Sequence, residues 1–129
     1  MVSTLTRPHR SDCPIASGLE LFGDRWSLVV VRDMLTGKKR FGEFLQSPER
    51  ITTNILSDRL VRLEHAGIVE RRPRGPTSRR YDYLLTDKGE ALLPVLQEIC
   101  RWANAHLPDT WVPPESFMAA RPAKGEPRR

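Results

Sequence analysis

The chain has 129 residues, 39% apolar and 29% charged, which suits one domain with a single core and some length to spare. No apolar run approaches a membrane span, and the opening stretch mixes Thr, Arg, His and Asp without an apolar segment, so no secretory signal is expected and the cytoplasm is the expected location. The net charge of +5 is unevenly spread: residues 38–80 hold eleven Lys or Arg against five Asp or Glu, whereas the rest hold ten against eleven.

Residues 1–12 read as a flexible arm. Cys13-Pro14 opens a helix, because proline is tolerated in a first turn whose N–H groups have no partner. Ile15, Leu19 and Phe22 then share one face at i, i+4, i+7. Gly23 stops that helix and Asp24 caps a second one to Leu35. Its Trp26, Leu28, Val29, Val30, Val31 and Met34 leave little polar surface, the mark of a central element. Three consecutive valines would suit a strand, but the aspartate cap and the length favour a helix. Thr36-Gly37-Lys38 is a turn, and residues 41–46 form a short amphipathic piece closed by Ser47-Pro48.

From Thr52 to Ala66 the helical period returns, with Leu56, Leu60 and Leu63 inward and Gly67 as the stop. Residues 68–72 and 80–85 read as strands around a Gly-Pro hairpin tip. Thr86 caps a last helix running to residue 107, which Pro94 is expected to kink. Residues 108–129 carry five prolines and few apolar groups, and are expected to form a disordered tail, with Trp111, Phe117 and Met118 able to anchor part of it. The fold class is mainly α with a small β-hairpin wing (α+β): a winged helix-turn-helix over residues 13–107.

A short helix, a turn and a polar-faced helix form a helix-turn-helix, whose second helix can lie in a major groove. A basic hairpin from Arg71 to Arg80 directly after it makes a wing able to straddle phosphates. Either feature alone is a weak signal, and a charge run is often only a solvated face. Together, with the positive charge focused on them, they point to double-stranded DNA as the partner.

The outward face of the 52–66 helix offers Thr53, Asn54, Ser57, Asp58 and Val61 to bases. Asn54 suits adenine, Ser57 either base class and Val61 a thymine methyl, while Asp58 either accepts from cytosine or caps a neighbour. Lys39, Arg40, Arg50, Arg62, Arg72, Arg74 and Arg79 are the expected phosphate contacts. Arg59 lies nearer the core, where an ion pair fits as well as a DNA contact, and His65 reads as a solvated residue.

The last helix carries more apolar positions than one small domain needs. A homodimer through Ile15, Leu19, Phe22, Leu96, Ile99 and Trp102 is therefore expected, reading a pseudo-palindromic operator. Two cysteines, Cys13 and Cys100, make no disulfide framework, and His9, His65 and His106 share no ligand spacing. Neither a metal nor a cofactor is expected.

The run Cys13-Pro14 followed by Gly23-Asp24-Arg25-Trp26 resembles the opening pattern of the HxlR-type family of MarR-like regulators. Arg40-Phe41-x-Glu43-Phe44, Leu56-x-x-Arg59-Leu60-x-x-Leu63-Glu64 and Gly67-Ile68-Val69-Glu70-Arg71 continue it. Leu85-Thr86-x-x-Gly89-x-x-Leu92-Leu93-Pro94, extending through Trp102, closes it. The resemblance implies a bacterial winged-helix transcription regulator, nucleoid-associated through DNA and usually dimeric through its first and last helices. Departures are Glu49-Arg50 where the family commonly has glycine after proline, Thr53 where it often has proline, and Val61 where it often has a basic residue.

Two other classes fit less well. A winged helix used only for protein contacts would not need the basic middle. An enzyme would need a phosphate loop, a nucleophile beside a histidine or paired carboxylates, and none is visible.

The switch is open between a small ligand, under Trp26 or between the first and last helices, and thiol chemistry at Cys13. Helix N-termini favour anions, and Arg7, His9 and Arg10 lie just upstream, which favours the reactive thiolate; Asp12 opposes this. Equally, Cys13 fits as a small N-cap residue. The resemblance adds that some HxlR-type regulators use the matching cysteine as a redox or electrophile sensor. Cys100, beside Ile99 on an apolar face, reads as packing.

Overall fold

The computed structural model describes residues 11–122, so most of the expected arm, with Arg7, His9 and Arg10, lies outside the described residues. Helix α1 (Pro14–Phe22) starts as expected with Cys13 at its N-cap and Pro14 in its first turn, and it contains no buried residue. Helix α2 (Ser27–Leu35) is the centre of the core, with Val30 and Val31 fully buried. It begins three residues after Asp24, because that carboxylate caps from a distance and accepts from the N–H groups of Trp26 at 2.9 Å and Ser27 at 3.1 Å.

Helix α3 (Phe41–Phe44) is shorter than the expected 41–46 piece and buries Phe44. Helix α4 (Thr53–His65) keeps its expected bounds to within a residue: Thr52 accepts from the N–H of Ile55 at 3.3 Å, and Gly67 turns the chain at φ +77°. Its Leu56, Leu60 and Leu63 close over α2 and Phe44. Strands β1 (Val69–Pro73) and β2 (Tyr81–Leu85) form an antiparallel hairpin, with Val69 opposite Leu85 and Pro73 opposite Tyr81. Val69 and Ile68 add to the core beneath the wing, whose outer half is exposed.

Two expectations change downstream. The single kinked helix is two: α5 (Asp87–Glu90) ends before α6 (Leu93–His106) begins. Pro94 falls in the first turn of α6, where its missing N–H costs nothing, so it starts a helix instead of bending one. Residues 108–122, assigned to a disordered tail from composition, run back along α6 and include α7 (Glu115–Met118). The buried Gln97 amide donates to the carbonyls of Phe117, Met118 and Ala120, and Phe117 packs on the core. Among the described residues, no helix is long and apolar enough to cross a membrane.

Candidate nucleic-acid interface

The α4 face opposite Leu56, Leu60 and Leu63 presents Thr53, Asn54, Ser57, Asp58, Val61 and Arg62, all exposed. Arg59 turns inward: its Nε donates to Asp24 at 2.8 Å, which resolves its role in favour of a structural ion pair between α4 and the α1–α2 junction. Burial alone would push the Asp24 carboxyl up. Ser27, Arg59 and the two N–H groups it caps outweigh that and hold it well below the usual carboxylate range. Asp58 does not stand as a bare negative charge on the reading face, because Arg59 and Arg62 pair with it, Arg62 at 3.0 Å.

The turn entering α4 departs from the glycine pattern and uses Arg50 at φ +61°, a left-handed conformation that an L-residue adopts at a cost of roughly 1–2 kcal/mol. Neighbouring bonds hold it there. Arg32 binds Glu49 with both terminal nitrogens, at 2.8 and 2.9 Å, and reaches the buried Asp33 at 2.8 Å. The hydroxyl of Ser47 donates to Asp33 in turn. The hydrogen bonds it accepts from Arg32 lower the Glu49 carboxyl. This network joins the end of α2 to the turn that aims α4, and sequence reasoning missed it because its members lie 14 to 17 residues apart.

The seven cations expected on phosphates fall into two groups. Lys39, Arg40 and Arg74 converge on Asp82 of β2, at 3.9, 3.7 and 3.2 Å. Arg72 pairs with Glu70 and Arg62 with Asp58. Arg50 and Arg79 are exposed and form no ion pair among the described residues. The hub at Asp82 was also missed. Only the register sets Asp82 opposite Arg72, and only the α2–α3 loop brings Lys39 and Arg40 to it. That loop is docked on the wing by the N–H of Tyr83, which donates to the carbonyl of Lys39 at 2.7 Å. Arg71 steadies the wing base, lying 3.4 Å from Glu64 and 4.5 Å from the Tyr81 ring centre.

The expected dimer residues divide as well. Ile15, Leu19, Ile99 and Trp102 are exposed, at 73, 54, 49 and 61%. Leu96 does not belong with them: it is buried in the core of the single chain, on the α6 face turned toward α2, and Phe22 packs half-buried on that core. Leu107, just past the end of α6, is also exposed, at 48%. Cys13 is exposed and Cys100 partly so.

The HxlR-like helix-turn-helix model matches residues 21–110, a span that runs from the end of α1 past the end of α6. The uncharacterised HTH-type transcriptional regulator YvaP of Bacillus subtilis (strain 168) is 36% identical over 107 residues, covering 82% of this chain and 94% of that protein. The crystal structure of the protein PA1607 superposes with a TM-score of 0.74 at 35% identity, over 93% of this chain and 85% of that one. The quinone-bound structure of YodB from B. subtilis does so with a TM-score of 0.61 at 36% identity, over 72% of this chain and 98% of that one. With its winged helix-turn-helix architecture and a family match across most of its length, the chain belongs to the HxlR-like helix-turn-helix family of transcriptional regulators.

Proposed function

We propose that this DNA-binding regulator lays α4 in the major groove, rests its wing on flanking phosphates, and acts as a homodimer on a two-fold operator. The observation that carries this is the exposed α4 face, polar apart from Val61, lying between Arg50 at one end and the basic wing beyond the other. Asn54→Ala should cost roughly 1–3 kcal/mol of operator binding and relax preference at one base pair. Arg79→Ala should weaken all duplexes alike and flatten the salt dependence, because one phosphate contact fewer releases fewer counterions. Fluorescence anisotropy across a salt series, on operator and scrambled duplexes, separates the two. A change of sequence preference from Arg79→Ala at constant salt slope would remove the wing from its assigned role.

The dimer reading rests on Ile15, Leu19, Ile99 and Trp102, since a monomer seldom leaves so much apolar surface open on two helices. Trp102→Glu with Ile99→Glu should give a folded monomer with weak operator affinity. Leu96 is unsuited to this test because it supports the core. Sedimentation of a wild-type chain that stays monomeric at micromolar concentration is the contrary outcome.

For the switch, the exposed Sγ of Cys13 at the α1 N-cap, with no cap hydrogen bond of its own to hold it, favours a thiol route. The related YodB has a quinone-bound structure, which makes a quinone the suitable probe here. Benzoquinone should then shift operator affinity in the wild type and leave Cys13→Ser unmoved; an equal response in both would leave non-covalent ligand binding as the switch.

A further inference from the structure

A cleft of about 800 Å³ lies between α2, α6 and the returning C-terminal segment, away from the α4 face and from Cys13. It is neither of the places sequence reasoning offered for a ligand. Leu28, Val29 and Leu35 line its inner wall, and Cys100 and Ala103 of α6 form a second. Trp111 and Phe117 form the third. That third wall is fastened in place: besides the three bonds from Gln97, the Asn104 amide donates to the Thr110 hydroxyl at 3.0 Å and the Trp111 carbonyl at 3.1 Å.

A volume near 800 Å³ with mostly apolar walls and a few polar groups is of the size and character of small-molecule sites. The polar groups narrow the class. Among the described residues, Arg32 and Asp109 are the only charged ones lining the cleft, and their charges are opposite, so the lining does not favour an ion of either sign. Arg32 commits four of its five N–H groups to Asp33 and Glu49, which leaves one donor at Nη1. We infer that this cleft binds an uncharged, flat, largely apolar molecule whose carbonyl or similar acceptor meets Arg32, with an aromatic body between Trp111, Phe117 and the α6 wall. Arg32 also holds Glu49, the residue before the left-handed Arg50, so an occupant reaches the turn that aims α4 through one side chain. That regulatory role rests on the DNA-binding reading above. Occupancy does not, and the experiment measures occupancy without DNA.

Nile red, an uncharged fused-ring carbonyl dye that fluoresces in apolar surroundings, is titrated into the full chain. Saturable binding at one dye per chain is expected, about tenfold weaker in Ala103→Phe, which fills the cleft. Bound dye should also slow alkylation of Cys100 by N-ethylmaleimide in a Cys13→Ser chain, a readout needing no change inside the cleft. Absence of saturable binding overturns the inference, as does binding that leaves the Cys100 rate unchanged. So does a Cys100 shielded without dye in the dimer and freed by Trp102→Glu, which would put a second copy in the cleft.

Discussion

Gly89→Ala should unfold the chain at markedly lower denaturant, with a loss of about 3 kcal/mol, although it adds a single methyl group. The N–H of Gly89 donates to the Thr86 hydroxyl at 3.1 Å, and Thr86 donates its own N–H to the Ile68 carbonyl at 3.0 Å. These bonds draw the first turn of α5 against the start of β1. A Cβ on Gly89 would sit 2.2 Å from the Ile68 oxygen and 2.9 Å from a methyl of Leu85. The oxygen cannot yield without breaking its bonds from Thr86, and Ile68 itself is buried in the core. Gly42→Ala supplies the contrast. In α3 a Cβ there meets nothing within 4 Å, so the same change should be neutral or stabilising by about 0.4–1 kcal/mol. Urea melts of the three proteins decide it; a Gly89→Ala loss as small as 0.5 kcal/mol would mean the α5–β1 contact is not tight.

The second large effect is expected at Asp24. Asp24→Asn keeps one oxygen where the carboxylate receives four bonds, from two backbone N–H groups, the Ser27 hydroxyl and Arg59. Asparagine can still cap the helix, so what is lost is mainly the charge; a charge-assisted bond to a guanidinium is worth about 1.5–3 kcal/mol, and a loss of about 2 kcal/mol at neutral pH is expected. The pH dependence has a definite sign. A carboxyl held below its unfolded value of about 3.9 contributes its full stability above that pH and loses it as pH falls toward the folded value. The wild-type and Asp24→Asn stabilities should therefore converge on acidification below about pH 4. A gap that stays constant to low pH would show that the carboxylate's charge is not what matters.

Local signals carried most of the fold. Thr52 and Gly67 bracket α4 in sequence as they do in space, and the aspartate cap correctly overrode the strand preference of Val29, Val30 and Val31. What stayed hidden depends on distant partners. A helical wheel identifies Leu96 as apolar but cannot say whether its apolar neighbour is α2 or another molecule. Composition marks residues 108–122 as unstructured because their fastening is made largely by carbonyl oxygens, which every residue has, and by two amide side chains upstream, Gln97 and Asn104. The interface itself was half visible: the periodicity sorted outward from inward residues along α4, while the pairing of each cation required the register of the wing and the path of the α2–α3 loop.

The Asp82 hub bears on how the protein grips a duplex. Long basic side chains lose about 2 kcal/mol of rotamer freedom when fixed, a cost usually met at the moment of association. Lys39, Arg40 and Arg74 already point at one carboxylate from two different elements before any phosphate arrives. Part of their ordering is thus completed when the chain folds. For the phosphate role proposed for them, Asp82 acts as a preorganising template, drawing three flexible arms toward one point and leaving less disorder to be lost on docking.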